Sequence, residues 1–87
     1  MPWLDIDHLH ISTDVWAKLY EKHGIDAAAL RRHLLDQRTF PFEWLSDRRG
    51  DRACVEATFE GLRTTVILYP IRGALARHWR LATAFHP

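Results

Sequence analysis

The residues with chemical potential gather in the last third of the chain, Leu62 to Pro87, where every charged side chain is basic. Arg63, Arg72, Arg77 and Arg80 lie there with His78 and His86, and no Asp or Glu interrupts them. All 11 acidic residues fall in Met1–Gly61, so the net charge of +1 conceals a basic C-terminal surface. Such a surface suits an anionic partner. Imidazole titrates near neutral pH and can give or take a proton. Guanidinium pairs with two phosphate oxygens at once. Together these groups match metal-independent RNA cleavage. A base takes the 2′-OH proton, a cation steadies the charged phosphate, and an acid protonates the departing 5′ oxygen. His10 or His78 would serve as base or acid, Arg63 and Arg80 would hold the phosphate, and Thr83 would orient it.

Other chemistries lack their residues. Six histidines include the pair His8 and His10, yet no HExxH and no second Cys supports a metal site. No cofactor is expected, because the nucleotide-binding glycine motifs and the G-x-S-x-G elbow are missing. Cys54 sits in apolar alternation and reads as a small packed residue. A single Cys excludes an internal disulfide and fits the cytoplasm. No apolar run of about 18 residues exists, so no membrane span is expected.

The elements that must position these groups follow from periodicity. Eighty-seven residues, 47% apolar and 26% charged, make a single globular domain over 1–87. Trp3 to His10 alternates loosely and is a candidate first strand. Ser12-Thr13-Asp14 offers a helix cap, Val15, Trp16, Leu19 and Tyr20 share one helical face, and Gly24 ends the helix. Asp26 opens a second helix to about Asp36, striped by Leu30 and Leu34. Gln37 to Asp51 is aromatic, broken by Pro41, and reads as an irregular cover over the core. From Arg52 the period becomes two: Ala53 to Phe59, a Glu60-Gly61 hairpin, Leu62 to Tyr69, then Trp79 to Phe85. Strict alternation places His78 and Arg80 on one face of the last strand and Thr83 on the other, unless a bulge intervenes. The four Trp are expected in the core. The fold class is therefore α+β: two N-terminal helices packed on a three- or four-stranded antiparallel sheet.

This order of parts resembles the RelE/BrnT-like bacterial toxins of the barnase–EndoU–colicin–RelE ribonuclease group. The likeness rests on His10 ahead of the first helix in H-I-S-T-D-V-W-A-K-L, on K-H-G-I-D at Lys22 to Asp26, and on R-L-A-T-A-F-H-P at Arg80 to Pro87. It implies an endoribonuclease toxin with RNA as substrate and an antitoxin as partner. Its active-site equivalents are His10, His23 (where the family more often has Arg), Arg80 and Thr83. With Arg63 and Arg72, His23 would bind substrate. Two alternatives remain. One is a non-catalytic interaction domain contacting its partner through Phe40, Phe42 and Trp44. The other is nucleic-acid binding without cleavage.

Overall fold

A computed structural model describes residues 2–71, 73 and 77–87. Its elements are β1 (Trp3–Asp5), β2 (His8–His10), α1 (Thr13–His23), α2 (Ala27–Gln37), β3 (Thr39–Asp47), β4 (Gly50–Phe59), β5 (Leu62–Pro70) and β6 (His78–Phe85). The six strands form one mixed sheet in the order β1-β3-β4-β5-β6-β2. This corrects the expected helices-first fold with a small antiparallel sheet. Two strands precede the helices, and β2 runs parallel to β6.

The chain's first ten residues explain the shape. β1 pairs with β3 at one edge and β2 pairs with β6 at the other, yet only Ile6 and Asp7 separate them. One continuous segment therefore bridges both edges, and the sheet must curl into a half-barrel. Trp44 on β3 and Trp79 on β6 meet with ring centroids 6.0 Å apart. The Trp79 indole N–H donates to the Asp5 carbonyl at 3.0 Å.

The region around Pro41 is the second correction. It is strand β3, with Phe40 and Phe42 buried and Glu43 exposed in period two. Proline is tolerated there because its neighbour on that side is the three-residue β1 near the sheet margin. Inward residues of the strands, with Leu19, Ile25, Leu30 and Leu34 from the helical region, make one core. Of the four Trp only Trp79 is buried, while Trp3, Trp16 and Trp44 are exposed. The wet positions of β1, α1 and the β3 end overrule the expected core role. The apolar surface expected of Phe40, Phe42 and Trp44 is likewise reduced to Trp44.

Both helices are capped as their sequences ask. Ser12 Oγ accepts from the Val15 N–H, and Asp26 Oδ1 accepts from the Ala28 and Ala29 N–H groups. Gly24 takes φ 64°, and its N–H closes onto the end of α1. Arg31 Nε donates to the Leu9 carbonyl at 3.1 Å, which ties α2 to β2. Among the described residues no helix is long and apolar enough to cross a membrane.

Two hairpin turns give direct tests. Between β4 and β5, Glu60 and Gly61 have φ 53° and 76° and close a two-residue loop between Phe59 and Leu62. Both values suit a type I′ turn, in which Asn at the first place is favoured and Glu is strained by roughly 1–2 kcal/mol. Glu60→Asn is expected to raise unfolding stability by about 0.5–1 kcal/mol, read by urea denaturation; a loss of stability would contradict the turn. Between β3 and β4, Asp47 accepts two hydrogen bonds from Arg52, at 2.9 and 3.0 Å, and one from the Arg49 N–H. Chiefly through Arg52, these hold its carboxyl down at about 2. The folded value lies below the unfolded one, about 3.9. The stabilisation is therefore complete above the unfolded value and is lost as pH falls through about 4 toward 2. A carboxyl titration by NMR should find the Asp47 midpoint near 2, and an ordinary midpoint would refute the pairing.

Candidate functional site

The parallel pairing of β2 with β6 brings together side chains far apart in sequence. His8 lies beside His78, and His10 beside Arg80. Leu9 and Trp79 turn inward and are buried, so their neighbours point outward. The His8 and His78 rings stack with centroids 5.0 Å apart. On the next strand, Tyr69 pairs with Arg80, and the guanidinium carbon lies 5.2 Å from the phenol ring centroid, a cation–π contact. Standard sheet spacings put the Cα atoms of His10 and Arg80 roughly 5 Å apart, and those of His78 and Arg80 roughly 7 Å apart. Both imidazoles thus neighbour Arg80 on the outer side of the sheet, one across the strand pair and one along β6, while its guanidinium leans toward β5 over Tyr69.

Nearby carboxylates are occupied elsewhere. Asp5 and Asp7 face Arg77 at 3.5 and 3.6 Å, and Asp7 also binds Arg38. The Arg38 hydrogen bond is the main reason the Asp7 carboxyl lies below its ordinary value, with Arg77 adding to it. Among the described residues no carboxylate forms an ion pair with Arg80. Nor do three His, Cys, Asp or Glu side chains there converge as metal ligands would.

Thr83 reaches the same face through an irregularity. The β5–β6 register shifts between Ile67 and Leu68: Ile67 pairs with Thr83, but Leu68 pairs with Leu81. Ala82 is thus an extra residue, and the bulge puts Arg80 and Thr83 on one side. Thr83 remains about 10 Å along the strand from Arg80.

Two expected residues do not join. Arg63, at the far end of β5, is roughly 20 Å from Tyr69 along the strand and faces Glu56 at 3.7 Å. His23, at the C-terminal end of α1, packs near Phe85 with centroids 6.3 Å apart. That end is roughly 15 Å from the start of the helix. Arg72 lies outside the described residues. His86 also serves elsewhere: its Nδ1 is 3.2 Å from both Thr64 Oγ1 and the Arg63 carbonyl, pinning the chain's end to β5.

Two neighbours were absent from the expected site. His8 signalled itself only as half of H-x-H. Tyr69 gave no sign, because its contact with Arg80 depends on the shifted register.

Cys54, on the outer side of β4, is a poor nucleophile. Partial burial pushes its thiol up, and the charges of Glu56 and Glu43 push it further.

No family model, no curated protein and no solved structure matches this chain.

Proposed function

We propose that the chain is a metal-independent endoribonuclease that cleaves RNA by attack of the ribose 2′-OH on the adjacent phosphate. The observation that carries this reading is the outward cluster of His10, Arg80 and His78, in which Arg80 has one proton carrier across the strand pair and another along its own strand. One imidazole takes the 2′-OH proton as the new P–O2′ bond forms. Arg80 offsets the extra negative charge on the phosphate. The other imidazole donates a proton to the 5′ oxygen as the P–O5′ bond breaks. The products are a 2′,3′-cyclic phosphate and a 5′-OH, with no net proton consumed. His8 braces His78 by stacking, and Thr83 is an accessory contact for the backbone on the side of the bulge.

A chain with this activity damages the RNA of its own host unless restrained. The reading therefore includes action in the cytoplasm as a toxin and a protein antitoxin as partner. The test is incubation of purified protein with RNA in EDTA, followed by mapping of the ends. Cyclic-phosphate and 5′-hydroxyl ends that require His10 and Arg80 support the reading. Intact RNA, or the same ends from the His10→Ala, Arg80→Ala variant, would remove it.

A further inference from the structure

Beside Arg80 the outer surface opens into a cleft of about 640 Å³, walled by Arg49, Asp51, Tyr69, Ile71 and Arg80. The β3–β4 hairpin delivers Arg49 at its tip, and the end of β5 delivers Tyr69 and the apolar floor. Two guanidinium groups and one aromatic ring therefore line a single depression adjoining the histidine cluster. Among the described residues the one carboxylate there, Asp51, accepts a hydrogen bond from Ser46 Oγ at 2.5 Å. With two cations against one anion, the cleft favours an anionic occupant. Arg49 lies in the turn that leads into β4, two sheet spacings from the β6 strand of Arg80, roughly 10 Å. A nucleotide flanked by two phosphates can span that separation, with one guanidinium on each phosphate.

We infer that this cleft is a second nucleotide subsite, in which Arg49 binds the phosphate neighbouring the scissile one and Tyr69 stacks with the intervening base. The inference rests on the ribonuclease reading for its polarity toward RNA, but its test reads binding and not cleavage. Stacking on an aromatic ring tolerates any base, so the subsite adds affinity with little sequence preference. Arg49 sits in a turn where its N–H donates to Asp47, whose carboxylate also feels its charge, and among the described residues its side chain forms no ion pair.

The probe is a fluorescein-labelled 2′-O-methyl hexaadenylate, which has no free 2′-OH and cannot be cut. Arg49→Ala is expected to weaken its binding about tenfold. It should also lower the slope of log K against log salt by about 0.7, the loss of one single-strand phosphate contact. Tyr69→Ser is expected to weaken binding at least fivefold, the lower end of base–aromatic stacking, while Tyr69→Phe keeps affinity within about twofold. Should Tyr69→Ser fail to fold, the Arg49→Ala arm still decides. An Arg49→Ala protein with the parent's affinity and salt slope overturns the subsite, as does a parent that does not bind the probe. If the parent binds as expected but leaves RNA intact, cleavage fails and the subsite stands. If the parent cleaves RNA and Arg49→Ala binds unchanged, the subsite alone fails.

Discussion

Replacing His10 by alanine is expected to slow RNA cleavage by two to four orders of magnitude, the usual worth of a positioned proton carrier. Arg80→Ala is expected to cost about 10²–10³-fold, because the phosphate's added charge then develops without its nearest cation. The double variant should fall short of the product of the two, since both groups act on the same transition state. Folding offers no competing explanation for such losses. Both side chains are exposed, and the contact over Tyr69 that Arg80 forfeits among the described residues is worth about 0.5–1 kcal/mol at such a site. Urea midpoints near the parent's, alongside rates reduced a hundredfold or more, would separate chemistry from stability. Single variants that cut as fast as the parent would leave the cluster of His10, Arg80 and His78 without a catalytic role.

The meander of β4, β5 and β6 was readable because alternation and the Glu60-Gly61 turn are local signals. The closure was not. Pairing of His8 with His78 and His10 with Arg80 joins the two ends of the chain, and nothing within either three-residue window announces a parallel partner. β3 was hidden by Pro41, which breaks a propensity pattern even where a short neighbour makes it harmless. The bulge at Ala82 shows a third limit. Counting by twos sends Thr83 to the inner face, and a single unpaired residue reverses that assignment. The site was half legible for the same reason. His10, His78 and Arg80 are conspicuous by type and fall together, whereas Arg63 is equally conspicuous and lies at the opposite end of its strand. Charge along a sequence does not reveal position along a strand.

The N-terminal closure should also be the place where a small change costs the most stability. Ile6 has no exposed surface and sits at the two-residue joint between β1 and β2. Its N–H donates to the Arg38 carbonyl at 2.7 Å, at the end of α2. A side chain removed there leaves a cavity where both sheet edges and the helical layer meet, and the backbone on either side is held in separate ladders. Collapse around the cavity is therefore restricted. Ile6→Ala is expected to cost about 3 kcal/mol, within the 2–5 kcal/mol range for such truncations. A domain of this size has only about 4–13 kcal/mol in total. With a urea m-value of roughly 1–1.5 kcal/mol/M for so small a chain, the midpoint should move by about 2 M. Trp3→Ala, at an exposed position only three residues away, should change stability by less than about 1 kcal/mol. The loss at Ile6 should also reach the candidate site. His8 and His10 are carried by the strand that Ile6 anchors, so partial opening of the joint would separate His10 from Arg80 before the β3–β6 meander melts. Cleavage by Ile6→Ala should then fall off at a lower urea concentration than the far-ultraviolet circular dichroism. A cost under 1 kcal/mol would mean that the first ten residues decorate the sheet and do not close it.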